Sequence, residues 1–301
     1  MSNSVPLGKS FYKYILFILL VVIFPFRIFS DSKEIQFLRT TDTALQTSVY
    51  TLISKDTNVR LKIIGVLHIA DLEYYQNIQK IISDLDYLFY EGIQINSDKM
   101  TSRYNHSLHS IASEIDANQT KKSIRKNSEF KNEIARFLNF ADQLEHLKPK
   151  QNWINADMNF SQFMNVLSSN QVGFDSIANN LSAENRSIVS DYLELKQLEP
   201  TSPDYSEKVL NFKKKMSQNL VKSCQDLCFL EETKLQRTAI IIERNKVAIS
   251  IVKPKFTSQV PLELGLLYGA AHTPNFVEIL THEYNFEIES YEWLDAWSLQ
   301  N

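Results

Sequence analysis

The chain has 301 residues, enough for one large domain or two small ones around a sizeable core. Its 32 Lys and Arg nearly balance 35 Asp and Glu, and a net charge of −3 gives no global field that would draw nucleic acid or an acidic membrane. Six glycines and eight prolines beside 11% aromatics describe a globular chain rich in helix and exclude a disordered one.

At the start, Lys9 and Lys13 precede an apolar run from Tyr14 to Phe26, which Arg27 interrupts before Ile28 and Phe29. A helix of roughly 13–16 residues covers about 20–24 Å, less than the bilayer core of about 30 Å. Such a segment reads as a secretory signal cut near Ser30, or as an uncleaved membrane anchor through residues 14–29. Both readings export everything after Asp31, to the periplasm or outside the cell. No Cys follows the apolar run, which excludes a lipid-modified cysteine.

Two strand patterns come next, Ser48 to Ile53 and Arg60 to Leu67, around a polar Ser54-Lys55-Asp56-Thr57-Asn58 that suits a hairpin loop. The first of them is expected to lie antiparallel at or near the sheet edge. A helix is expected from about Asp71 to Ser83, then a strand from Asp86 to Tyr90. From Asn96 to about Lys234 glycine is almost absent and apolar residues recur at helical spacing, as in FKNEIARFLNFADQLEHL. This stretch, broken at Pro149, Pro200 and Pro203, is expected to be a largely helical insertion capping a single α/β domain over residues 31–301. Its basic residues Lys121, Lys122, Arg125 and Lys126 read as a solvated face. Cys224 and Cys228 share one helix face at i, i+4 spacing and read first as small apolar residues. Export would permit a disulfide, but helical geometry disfavours one at that spacing. A long helix from Glu231 to Ile251 then places Glu243-Arg244-Asn245 inside an apolar sequence, where a buried charge requires a partner.

The pattern that carries chemistry occurs twice. Leu61 to Ile93 and Leu264 to Leu294 each contain an apolar run, Gly-x-x-His, a helix-like stretch, and a second apolar-aromatic run with Tyr-Glu. The continuous apolar runs suit strands buried on both faces of a parallel sheet, so each copy reads as a βαβ unit. The fold class is therefore α/β, with a central, mostly parallel sheet flanked by helices. Ligands of such sheets bind beyond the carboxyl ends of the strands. Gly65 and Gly269 are the expected turn glycines, and they place His68 and His272 just past two strand ends. Glu91 ends the next strand of the first unit and belongs at the same sheet edge.

Two imidazoles and a carboxylate suit a divalent Mn, Co, Zn or Fe ion with open positions for water. Glu91 is a ligand or a general base. Arg244 is its natural ion-pair partner, or else stabilises an oxyanion or orients a substrate carboxylate. Asp71, Asp157 and Asn245 are accessory candidates. For both aspartates a first-turn position facing a helix dipole is the plainer reading. Glu292, next to Trp293, reads as packing. No Walker loop, dinucleotide glycine fingerprint, HExxH or nucleophile elbow is present.

Gly65-Val66-Leu67-His68, Tyr90-Glu91-Gly92, Asn155-Ala156-Asp157-Met158, Glu243-Arg244-Asn245, Gly269-Ala270-Ala271-His272 and the ending from Glu292 to Trp297 occur in order. Together they resemble the TraB/GumN family, in the wider group with the Tiki proteases, PrgY-type pheromone-inactivating proteins and, more distantly, ChaN and erythromycin esterase. The resemblance covers most of the chain from about Val59 and only outlines the insertion. It implies a pocket of His68, Glu91, Arg244 and His272, and a metal-dependent, peptidase-like hydrolase acting on a peptide or small-molecule substrate. The ChaN branch implies an alternative, a non-enzymatic haem- or small-ligand-binding envelope protein using the same pocket.

Overall fold

In a computed structural model, residues 35–94, 131–173 and 186–300 are described. The apolar segment 14–29 and the basic residues 121–127 lie outside them. Among the described residues no helix is long and apolar enough to cross a membrane.

A seven-stranded sheet is built from β1 (Leu38–Thr40), β2 (Ala44–Ser54), β3 (Val59–Val66), β5 (Tyr87–Tyr90), β7 (Trp153–Asn155), β8 (Leu262–Gly269) and β9 (Phe286–Ser298). From one edge the order is β9, β2, β3, β8, β5, β7, and β1 pairs the start of β2 on the side where β3 pairs its end. β3, β8, β5 and β7 are mutually parallel. β2 is antiparallel to each of its neighbours β1, β3 and β9, so it alone runs against the sheet. The expected α/β class and mostly parallel sheet hold. The first strand of the hairpin lies one position inside the edge, because β9 covers it. Two short strands, β4 (Ile69–Ala70) and β6 (Ala141–Asp142), form a separate pair.

The two repeated units interleave. β3 leads through α1 (Leu72–Ser83) to β5, yet β8 lies between β3 and β5. β8 leads through α5 (Thr273–Glu283) to β9, across β3 and β2. Interleaving makes the two histidine-bearing strands direct neighbours, with Val66 opposite Gly269. In α1, Tyr74, Tyr75, Ile78 and Ile82 form the buried stripe. They pack with Ile64, Val66, Leu88 and Leu267 on one sheet face. Each such side chain contributes roughly 1.5–3 kcal/mol. Side chains alternate along a strand, so Tyr268 points to the other face. There Phe276 of α5 meets its ring edge-on, with centroids 4.9 Å apart.

The insertion departs from expectation. Helices Phe160–Ser169 (α2) and Tyr205–Phe229 (α3) are present, but β6 and β7 also arise from it, and β7 completes the main sheet beside β5. It is a cap that also supplies a strand end to the site edge. The helical run from Glu231 to Val252 is continuous but not uniform. A π-helical turn, Thr238–Ile242, precedes α4 (Glu243–Val252). A π turn adds a residue to the repeat and re-aims the side chains of the helix beyond it. Arg244 and Asn245, adjacent in sequence, are both buried.

Candidate functional site

The carboxyl ends of β3, β8, β5 and β7 form one edge, and each delivers a polar group. His68 follows β3, His272 follows β8, Glu91 follows β5 and Asp157 follows β7. The turn after β3 is pinned from beneath: the Tyr74 hydroxyl donates to the Gly65 carbonyl at 3.0 Å, and the Tyr75 hydroxyl donates to the Leu67 carbonyl at 2.8 Å. The Trp297 indole N–H donates to the Ile69 carbonyl at 2.9 Å, so the tryptophan near the end of the chain braces the same turn.

Arg244 sits at the centre of the cluster with its side chain 7% exposed. Its Nε donates to Asp157 Oδ1 at 3.0 Å, and its Nη2 donates to Asp157 Oδ2 at 2.5 Å and to Glu91 Oε1 at 2.7 Å. Its Nη1 reaches the Ile240 carbonyl at 3.4 Å and lies 3.5 Å from His272 Nε2. Every guanidinium nitrogen is engaged by the protein. Burial opposes the guanidinium charge, but Glu91 and then Asp157 outweigh it and keep Arg244 protonated. Of the two roles expected of Arg244, the structure shows the ion pair with Glu91, and it adds a second carboxylate, Asp157.

Asp157, an accessory candidate, joins the cluster and is not a first-turn helix carboxylate. Its side chain is fully buried, and besides Arg244 it accepts from the Gly92 and Met158 amides at 3.0 and 2.8 Å. Asn159, not Asp157, caps the following helix. Glu91 accepts from the Gly269 amide through Oε2 at 2.7 Å. Burial would raise its pKa. The Arg244 guanidinium first, then His272, His68 and the Gly269 amide, hold it well below the usual carboxylate range. Glu91 is therefore ionised at neutral pH.

His272 is 4% exposed. Burial, opposed by Glu91 and reinforced by Arg244, lowers its pKa to about 4, so the ring is neutral at pH 7. Its Nδ1 lies 2.5 Å from Asn245 Oδ1, and its Nε2 lies 3.7 Å from Glu91 Oε1. His68 is exposed, and its Nδ1 lies 2.9 Å from Gln143 Oε1. The Gln143 amide also donates to the His68 carbonyl at 3.0 Å, which ties this turn to the cap.

The turn glycines have different reasons. A Cβ on Gly65 would meet Ala270 Cα, the Ser48 carbonyl oxygen and Thr273 Oγ1, all at 3.2 Å. Gly65 lies within β3, and close approach of neighbouring elements, not a turn, demands the glycine there. A Cβ on Gly269 would stand 3.3 Å from Glu91 Oε2. The bare glycine lets the carboxylate settle on the backbone amide. Asp71 takes no part in the cluster. It accepts from the Ser298 amide at 2.5 Å and lies 3.5 Å from Lys213 Nζ, fastening the end of β9. Glu292 is exposed in mid-β9, opposite Val49. Cys224 and Cys228 form no disulfide and pack against the core, and burial pushes the Cys228 thiol up to about 12.

Sequence reasoning missed Gln143, which lies in the insertion without any motif, and Tyr268, hidden in an apolar run. The Tyr268 hydroxyl donates to the Ala156 carbonyl at 2.6 Å and so ties β8 to the segment carrying Asp157.

Among the described residues no three His, Cys, Asp or Glu side chains are grouped to hold a metal ion as they stand. The donors nevertheless suit a divalent ion in kind. Two ligand atoms of a tetrahedral ion at about 2.0–2.2 Å lie about 3.3–3.6 Å apart, close to the 3.7 Å between His272 Nε2 and Glu91 Oε1. Comparison with protein-family models, with characterised proteins and with solved structures returned no match.

Proposed function

We propose that this chain is an exported metal-dependent hydrolase acting on a peptide or a small amide or ester. The observation that carries the reading is the pairing of a neutral His272 with an ionised Glu91 at 3.7 Å. That pair stands at the strand-end edge from which His68 faces solvent. His272, Glu91 and His68 would hold one divalent ion, of the Mn, Co, Zn or Fe type. Such an ion, when bound, polarises a carbonyl and makes water nucleophilic near neutral pH. The chain's own groups prepare the edge. Arg244 and the Gly269 amide fix Glu91 in its charged form, while Asp157 offsets the guanidinium charge. His68 is the exposed member: Gln143 holds its Nδ1, and its Nε2 would meet substrate or ion. The cap segment around Gln143 lies beside this edge and is placed to shape specificity. Export, by a cleaved signal or an anchor through residues 14–29, is part of the same proposal.

The test is hydrolysis of a mixed peptide library by the purified chain, with and without chelator. Turnover restored by a divalent ion, and lowered roughly 100-fold or more in His68→Ala and His272→Ala, supports the reading. A saturable haem titration with no turnover would favour the ligand-binding alternative instead.

A further inference from the structure

The structure assigns Asn245 the role of a positioning residue that fixes the proton of His272 on Nδ1 and leaves Nε2 as an acceptor beside Arg244 and Glu91. The assignment rests on which atoms can donate. Asn245 reaches the His272 backbone carbonyl at 3.1 Å. A carbonyl only accepts, so the Asn245 atom facing it must be the amide nitrogen. That nitrogen also donates to Asn275 Oδ1 at 3.0 Å. With the amide nitrogen so committed, the atom 2.5 Å from His272 Nδ1 is the amide oxygen, which only accepts. His272 Nδ1 therefore carries the hydrogen. Arg244 Nη1, which only donates, lies 3.5 Å from His272 Nε2, so Nε2 is the acceptor and carries no hydrogen; it also lies 3.7 Å from Glu91 Oε1.

Arg244 and Asn245 both point inward at the start of α4, one to the carboxylates and the other to the histidine. The first repeat shows a parallel arrangement, in which His68 Nδ1 meets a side-chain amide oxygen, that of Gln143, at 2.9 Å. Each repeated histidine is thus turned by an amide from elsewhere in the chain, and each presents Nε2. An amide partner of this kind raises ligand basicity and sets ring orientation, and its loss typically weakens metal affinity about 10–100-fold.

The chemical consequence rests on the proposed hydrolase reading, but the tautomer does not, and it is measured separately. The full chain labelled with 15N-histidine is observed by NMR at neutral pH, with His272 assigned through His272→Gln. The inference requires a protonated Nδ1 and a bare Nε2 in the unmutated chain. Asn245→Asp, which keeps an acceptor, retains that tautomer, and Asn245→Leu loses it and binds added Mn or Zn about 10–100-fold more weakly. A hydrogen on Nε2 in the unmutated chain would overturn the inference without any variant having to fold. An unchanged tautomer in a folded Asn245→Leu would overturn it too. The expected tautomer in a chain that binds no metal would uphold Asn245's role and count against the hydrolase reading alone.

Discussion

Replacing Arg244 by Met removes the cation and keeps an apolar body of similar length. The guanidinium is 7% exposed, Asp157 is fully buried, and the Glu91 side chain is 18% exposed. A single nitrogen, Nη2, bridges Asp157 Oδ2 at 2.5 Å and Glu91 Oε1 at 2.7 Å, so the two carboxylates converge on one point. Without the cation they face each other with, among the described residues, only backbone amides as hydrogen-bond donors: those of Gly92 and Met158 for Asp157, and that of Gly269 for Glu91. Breaking a buried ion pair by removing one partner costs about 3–5 kcal/mol, a large share of a domain's total of about 5–15 kcal/mol. Arg244→Lys is also expected to destabilise, since a point charge cannot reproduce the fork. Urea unfolding followed by tryptophan fluorescence reads the loss as a lowered midpoint at constant slope. Adding Asp157→Asn to Arg244→Met removes one of the two like charges and should recover part of the loss. A loss below about 1 kcal/mol, or no recovery in the double variant, would refute this role for Arg244. Lost turnover at unchanged stability would instead make it a substrate contact.

Gly265→Ala places a Cβ 2.4 Å from Leu85 Cδ1 and 2.7 Å from Leu88 Cδ1, and should destabilise the fold by about 1–3 kcal/mol, read as a lower urea midpoint. Stability of the metal-free chain should fall on acidification. The folded His272 pKa of about 4 lies below its ordinary 6.5. Its contribution is therefore complete above pH 6.5 and is lost as the unfolded chain takes up the proton between 6.5 and 4, by up to about 3 kcal/mol. Glu91 adds a second loss below about pH 4.5, because its folded pKa is depressed. Urea midpoints from pH 7 to 4 measure the slope, and His272→Gln should flatten the limb above pH 4. Cys228, with its thiol pushed up to about 12, should resist alkylation at pH 8 until the chain unfolds.

The strand-end placement of His68, Glu91 and His272 was legible because buried parallel strands leave continuous apolar runs and because the Gly-x-x-His phrase repeats. The phrase concealed the order of the strands. Two consecutive βαβ units suggest a sequential sheet, whereas β8 inserts between β3 and β5, and it is this insertion that sets Val66 beside Gly269. Asp157 was legible only as an accessory candidate, because β7 has only three residues and lies in a stretch whose composition reads as helix. Arg244 was legible as a buried cation in need of a partner, but its second carboxylate was not. Arg244 and Asn245 both point inward just after a π turn, which leaves no period in the sequence to read. The unequal exposure of the two histidines was equally hidden. His272 is buried in a 3-10 turn, with its carbonyl bonded to Asn245 of α4, while His68 lies on an exposed turn that the cap segment meets through Gln143.

The central claim, that His68, Glu91 and His272 together hold one divalent ion, is tested most directly by elemental analysis of the freshly purified chain. About one equivalent of a divalent transition metal per chain is expected, with half or more lost in either His68→Ala or His272→Ala and nearly all in the double variant. Metal content unchanged in the double variant would contradict it.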